Sequence, residues 1–381
     1  MNDSRPLGIA LIGTEFMGKA HSQAWRNVAA FWPEHPVAMK VLVGQQPEKT
    51  REAAARLGWA ESGTDWASVI NRSDVDIVDI CTPGHLHAEI AIAALDAGKH
   101  VLTEKPLAST FSDAERMTRA AAAARAHGTR SMVGFNYRRI PALAGARAIV
   151  RSGRIGTVRH MRVSFLQDWL ADDTTPMSWR LRKEIAGSGV LGDLGSHLVD
   201  QVHYLLGEPI TTVSGHMRTM VPERPGPEGR EAVTVDDAFW ATGFTASGVG
   251  ISLEASRMAT GRKAELDIEI YGSTGGIRFG LQRLNELYVL ESIGPQEDRG
   301  YRQVLFTEPQ HPYAGRWWPP GHVLGWENTF TNQAADFLTA IAAGEDPRPS
   351  FEDALQVERV LAAIEKSSNS RGQQISVSLE G

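Results

Sequence analysis

Between Leu7 and Phe135 the chain alternates short apolar runs with helix-length segments, and this alternation restricts the fold more than any other feature of the sequence. The apolar runs are Leu7 to Ile12, Val37 to Val43, Val75 to Cys81, His100 to Thr103 and Arg130 to Phe135. Between them lie a helix through His21, Trp25 and Val28, then Pro47 to Leu57 closed by Gly58, His85 to Ala97 stopped by Gly98, and Ser112 to His127 stopped by Gly128. Strands buried on both faces read as continuous apolar runs, and strand–helix–strand units wind right-handed onto a parallel sheet. The spacing predicts an α/β fold: an N-terminal, Rossmann-type doubly wound parallel sheet. Ligands of such sheets bind beyond the carboxyl ends of the strands. Those ends fall at Gly13 to Gly18, Gly44 to Gln46, Thr82 to His87, Glu104 to Pro106 and Asn136 to Arg139, where polar residues gather.

The first strand runs into Gly13-Thr14-Glu15-Phe16-Met17-Gly18 and then a helix, the order of a dinucleotide site. Glu15 stands where the usual spacing has its second glycine. The second strand ends in Gly44-Gln45-Gln46, which offers neither an acid for a ribose 2′-hydroxyl nor an arginine for a 2′-phosphate. These residues leave the choice between NAD and NADP open, the missing arginine being the one local reason to expect NAD.

After Asn136 the pattern changes. Ala142 to Arg151 is helical and Val158 to Gln167 alternates as a strand; from Ile210 to Phe306 the chain is mostly alternating strands joined by turns such as Ala246-Ser247-Gly248 and Gly272 to Gly276. This predicts a C-terminal α+β domain with a large, mostly antiparallel open sheet. Val221 to Glu231 and Pro309 to His322 read as irregular, and helices from Asn328 to Ala343 and Phe351 to Ser367 end the chain. The expected domains are residues 1–136 and 137–381, with the last helices packing back on the first.

Ala186 to Gly207 joins a glycine-rich segment to a helix. Asp193, His197 and Asp200 fall at i, i+4 and i+7 on one side, with Leu194, Leu198, Val202 and Leu205 on another. An acid one turn before a histidine suits acid/base work, because a carboxylate stabilises an imidazolium and imidazole titrates near neutrality. A metal-binding rival adds His203 to this set, but His203 lies well round the helix. The net charge of −6 disfavours nucleic acid or an anionic membrane as partner. One cysteine, no signal segment and no run of 18 apolar residues point to the cytoplasm.

Together, Glu104-Lys105-Pro106 and the G-x-G-x-x-G-D-x-G-x-H-x-x-D run from Gly187 to Asp200 resemble the Gfo/Idh/MocA oxidoreductase family. Thr82-Pro83 with His87, and Gly134 to Arg139, support the resemblance, which spans nearly the whole chain. Phe16 to His21, Leu166 to Trp169 and Trp179-Arg180 are most similar to bacterial sugar dehydrogenases of that family. The resemblance implies oxidation of a secondary hydroxyl of a sugar, anhydrosugar, glycoside or cyclitol, with hydride passing to nicotinamide. It implies catalytic roles for Lys105, Asp193 and His197: Lys105 stabilises the alkoxide, His197 takes the proton, and Asp193 orients it or shares substrate hydroxyls. Cofactor contacts are expected from Gly13, Phe16, Met17 and Gly18, from Thr82, Pro83 and His87, from Glu104, Lys105 and Asn136, and from Trp179 and Arg180. Sugar contacts are expected from Tyr137, Gln167, Asp168 and Trp169 beside Lys105, Asp193 and His197, and no metal is expected. Two alternatives stand beside this one: a glycoside hydrolase using transient NAD-dependent oxidation, and a dinucleotide-sensing regulator. A homodimer or homotetramer is expected through the open sheet, on an apolar face drawn from sets such as Ile251 and Leu253 or Leu266, Ile268 and Ile270.

Overall fold

The computed structural model describes residues 5–378. They form two compact units, residues 5–136 with 325–355 and residues 137–324 with 356–378. The first holds strands β1 (Leu7–Ile12), β2 (Val37–Val43), β3 (Glu61–Gly63), β4 (Ile77–Ile80), β5 (His100–Thr103) and β6 (Ser131–Val133). They pair in the order β3-β2-β1-β4-β5-β6, every neighbouring pair parallel. β1 and β4 are buried along almost their whole length, as a sheet covered on both faces demands, and apolar apart from Asp79 of β4. Helices α1 (Phe16–Phe31), α2 (Pro47–Leu57), α3 (Trp66–Ile70), α4 (His87–Asp96) and α5 (Phe111–Arg125) connect them. Their ends follow local chemistry: Pro47 opens α2, left-handed Gly58 closes it, and Thr110 accepts from the Asp113 N–H to cap α5. β3 and α3 are too short to leave a periodic signal. Against this unit's α1 packs a late helix (Asn328–Ala343), with Ala20, Ala24 and Phe330 at the contact.

The second unit carries α6 (Pro141–Arg151), α7 (Lys183–Ala186) and α8 (Ser196–Leu206). Its strands are β7 (Val158–Leu166), β8 (Ile210–Arg218), β9 (Glu223–Gly226), β10 (Gly229–Ala232), β11 (Ala238–Thr245), β12 (Gly250–Ser256), β13 (Glu265–Gly272), β14 (Gly275–Gly280), β15 (Glu286–Glu291), β16 (Arg302–Leu305) and β17 (Ile375–Ser376). Nine of them form one sheet, β16-β15-β14-β13-β7-β12-β11-β8-β17, antiparallel except where β7 meets β12. The late helix is α9, and α10 (Phe351–Asn369) contains the point where the two units divide.

Two expectations fail in this unit. Val221 to Glu231 is not irregular: β9 and β10 pair antiparallel across it. Pro225 argues against a strand because it lacks an N–H, but its backbone faces away from β10, where its carbonyl accepts the Met177 N–H at 2.8 Å, so the pairing with β10 loses no hydrogen bond. Fully buried Arg224 pins the ribbon by donating to the Leu170 and Asp172 carbonyls at 2.7 Å each. Nor does an apolar sheet face meet water, since Ile251, Leu253, Leu266, Ile268 and Ile270 are all buried. They share the side on which α6 and α8 pack, and the opposite side carries charged side chains such as the ion pair of Arg162 and Glu269 at 3.0 Å. Trp240 and Phe244 of β11 are exposed on that side.

Candidate active site

In the first unit the candidate residues gather at the carboxyl ends of the parallel strands. Gly13 follows β1 with φ +124°, and a Cβ there would sit 2.6 Å from the Cys81 carbonyl oxygen, so only glycine lets β1 turn this close to β4. Glu15 takes the N-cap position of α1 with φ −83°, a conformation open to any residue, and its side chain is exposed. Its departure from the glycine spacing therefore carries no backbone strain. No side chain caps α1. The free N–H groups of its first turn lie at the positive end of a helix dipole, which suits a pyrophosphate. At the end of β4, Thr82 Oγ1 is buried with no hydrogen-bond partner among the described residues. An uncapped helix start and an orphaned hydroxyl at one sheet end fit a dinucleotide. An acid at position 44 would crowd two threonine side chains, because a Cβ there would meet Thr50 Oγ1 at 2.5 Å and Thr14 Cγ2 at 2.7 Å.

Phe16 is 62% exposed and stacks on Trp326 at 5.4 Å, whereas Met17 packs toward the cluster of Ala20, Ala24 and Phe330. His87 is buried, with Nε2 2.9 Å from the Thr82 carbonyl and Nδ1 3.0 Å from that of Pro106. It ties the loops after β4 and β5 together, and burial lowers its pKa. Asn136 donates to Thr329 Oγ1 at 2.8 Å, fixing the end of β6 to the start of α9. Lys105 is half-buried just after β5. Beneath it Glu104 is buried, with one carboxylate oxygen 3.0 Å from His21 Nε2 and the other accepting the Lys105 backbone N–H at 3.3 Å.

In the second unit the site begins at Gly189. A Cβ there would lie 1.9 Å from the Asp236 carbonyl oxygen, and the Asp236 carboxylate accepts the N–H groups of Gly189 and Leu191 at 2.7 Å each. Burial raises the Asp236 carboxyl's pKa, opposed by those two donors. From this anchor the chain makes a wide π-helical turn, Leu191–Gly195, and continues as α8. Asp193 projects from the wide turn, where Arg257 donates to it at 2.8 Å. Arg257 is 2% exposed and also lies against the Trp169 ring, 5.3 Å from its centroid. Arg180 stacks on Trp179, and burial lowers its pKa against the pull of Asp193. His197 is buried against two aromatic rings, Tyr137 at 4.6 Å and Phe165 at 6.0 Å. Gln167 accepts the Trp169 indole N–H at 2.9 Å. Asp168 accepts from Lys263 at 2.8 Å and from the Gly261 N–H at 3.1 Å, contacts that lower its pKa.

Not every residue of the helical stripe keeps the company its spacing suggests. Asp200 is buried and held by Arg138, whose Nη2 lies 2.6 Å from it, and His203 Nε2 accepts the Ile210 N–H at 3.1 Å. Arg257, Asp236, His21 and Trp326 escape a reading of the sequence. Only His21 left a signal, as the last residue of the Phe16 to His21 motif; Arg257 and Asp236 sit in strand-rich sequence with no motif around them.

Residues 7–135 match the oxidoreductase family with an NAD-binding Rossmann fold, and residues 143–278 match the GFO/IDH/MocA C-terminal domain. Levoglucosan dehydrogenase of Pseudarthrobacter phenanthrenivorans is 42% identical over 95% of this chain and 96% of its own. A crystal structure of an oxidoreductase domain protein from Kribbella flavida superposes with a TM-score of 0.96 at 53% identity, covering 98% of this chain and all of that one. Levoglucosan dehydrogenase in complex with NADH and levoglucosan superposes with a TM-score of 0.93 at 42% identity, again over 98% of this chain and all of that one.

Proposed function

The chain belongs to the Gfo/Idh/MocA oxidoreductase family as an NAD-dependent dehydrogenase of sugar hydroxyls, and we propose that its substrate is an anhydrosugar or closely related cyclic sugar. The 42% identity to levoglucosan dehydrogenase across almost both full lengths carries this reading. When bound, NAD supplies a nicotinamide ring able to accept a hydride. The uncapped start of α1 and Thr82 hold the dinucleotide at the sheet end. Lys105 donates to the substrate oxygen as it gains negative charge. His197 accepts the hydroxyl proton, its ring oriented by Tyr137 and Phe165. Asp193, anchored by Arg257, accepts from a substrate hydroxyl, and the Trp169 ring offers an apolar face to the sugar's C–H groups. We read the assembly as a homodimer or homotetramer joined through the sheet face that bears Trp240 and Phe244, which light scattering tests. No helix among the described residues is long and apolar enough to cross a membrane, and the cytoplasm is the proposed compartment.

A screen of anhydrosugars, hexoses and cyclitols with NAD and NADP, followed by absorbance of the reduced nicotinamide, tests this. Net reduction of NAD with an anhydrosugar is expected. Sugar consumption with no net reduction would indicate a hydrolase cycling its cofactor, and NADP preferred by about tenfold, or about 1.4 kcal/mol, would overturn the NAD assignment. Lys105→Ala is expected to lower kcat by about 10² or more, since losing one oxyanion donor costs on the order of 3 kcal/mol.

A further inference from the structure

His21 lies on α1, with its ring sandwiched between two buried carboxylates. Its Nδ1 is 2.9 and 3.0 Å from the oxygens of Asp79 on β4, and its Nε2 is 3.0 Å from Glu104 Oε1. Both ring nitrogens thus face acceptors, an arrangement that only the doubly protonated imidazolium satisfies with both carboxylates ionised. Burial by itself would discharge the ring, but the Asp79 carboxylate holds its pKa well above the ordinary imidazole range. The two acids differ in what else holds them. Asp79 keeps the Trp25 indole N–H at 2.7 Å, whereas Glu104's other contact is the longer one, 3.3 Å, from the Lys105 N–H. Glu104 therefore depends on His21, and the backbone of Lys105 depends on Glu104.

We propose that His21 is a positioning residue for catalysis: through Glu104 it fixes the backbone from which Lys105 presents its ammonium. This rests on the reading of Lys105 given above. The hydrogen bonds run in series, from Asp79 to the His21 ring, from the ring to Glu104, and from the Lys105 N–H to Glu104. They link three segments of the first unit that lie 58 and 83 residues apart in sequence. Gly134 leaves space for this carboxylate, since a Cβ at that position would fall only 2.7 Å from Glu104 Oε1. Without the imidazolium, a carboxylate this buried must take up a proton, which weakens it as the acceptor of the Lys105 N–H, or turn, which breaks that bond.

Two amide substitutions separate positioning from mere packing. Asparagine places its donor near Nδ1, so His21→Asn keeps the bond to Asp79 and loses the one to Glu104. Glutamine reaches the place of Nε2, so His21→Gln keeps the bond to Glu104. Both remove the same charge and ring from the same site. The expected result is a fall in kcat of about tenfold or more in His21→Asn, with KM for NAD little changed, and a fall of no more than about threefold in His21→Gln, in line with the usual effect of an outer-shell partner. Equal kcat in the two variants, each shown folded by circular dichroism and thermal unfolding, overturns the proposal. Lys105→Ala is measured alongside. If it keeps wild-type kcat, the reading of Lys105 falls and this proposal with it; if it is inactive while the two His21 variants are alike, only this proposal falls. Should neither His21 variant fold, Glu104→Gln decides: an amide cannot accept from both neighbours, so a loss of about tenfold in kcat supports the proposal, and wild-type kcat overturns it.

Discussion

Replacing Arg257 with methionine should impair catalysis while leaving the fold nearly as stable, and the reason lies in how unevenly this arginine is satisfied. Its Nη2 makes two contacts, 2.8 Å to Asp193 and 3.3 Å to the Gly189 carbonyl. Nε and Nη1 are buried without a hydrogen-bond partner among the described residues. Arg257→Met gives up the charge-assisted hydrogen bond to Asp193, about 1.5–3 kcal/mol, the longer one to the Gly189 carbonyl, about 0.5–1.5 kcal/mol, and a cation–π contact with Trp169, about 0.5–1 kcal/mol. It also relieves two unsatisfied buried N–H groups, each a penalty of about 1–3 kcal/mol. Breaking a buried pair commonly costs roughly 3–5 kcal/mol because a charge is stranded, but the Asp193 side chain is 34% exposed and water can solvate it. The terms cancel to within about 2 kcal/mol, so Tm should move by less than roughly 8 °C. Catalysis has no such compensation. If Asp193 needs Arg257 to hold its carboxylate against a substrate hydroxyl, losing that bond should lower kcat/KM for the sugar about 10- to 150-fold. KM for NAD should hardly change. The assay is steady-state reduction of NAD beside thermal unfolding. A folded Arg257→Met protein with kcat/KM within about twofold of wild type would refute the anchoring role, and a Tm fall beyond about 15 °C would make Arg257 chiefly a residue of the fold.

His197→Ala should lower kcat by about 10² to 10⁴ and abolish the rise of oxidative rate with pH; an unchanged pH profile would place the base elsewhere. Burial pushes the Cys81 thiol up to about 12, so the native protein should resist alkylation at mildly alkaline pH and react once unfolded, and rapid native labelling would contradict this. Arg154 and Arg302 hold the Glu291 carboxyl down at about 2, below its ordinary 4.5, by hydrogen bonds of 2.9–3.0 Å. A depressed folded-state pKa adds stability above the ordinary value and loses it as pH falls toward the depressed one. The Tm penalty of Glu291→Gln should therefore be present near neutrality and shrink from about pH 4.5 down toward about pH 2, whereas a penalty independent of pH would show that charge is not its source.

Much of this protein is local, and what is local is legible in the chain. The five long apolar runs of the first unit appear as strands because a doubly covered sheet asks for unbroken hydrophobicity, a demand met within a few residues. Val37–Val43, Pro47–Leu57, His100–Thr103 and Asn328–Ala343 occur at the very bounds their patterns predict. The glycine turn after β1, the Glu104-Lys105-Pro106 motif and the Asp193 to His197 spacing mark their places in the same way. Partnership is different. His21 meets Asp79 and Glu104, Asp193 meets Arg257, and Asp200 meets Arg138 across 58 to 83 residues of chain. Such pairings depend on strand order, register and the wide turn at Leu191–Gly195, which tertiary packing sets. The side of the nine-stranded sheet that meets water was decided the same way. A period of two says that faces alternate, and only the seating of α6 and α8 determines which face they cover.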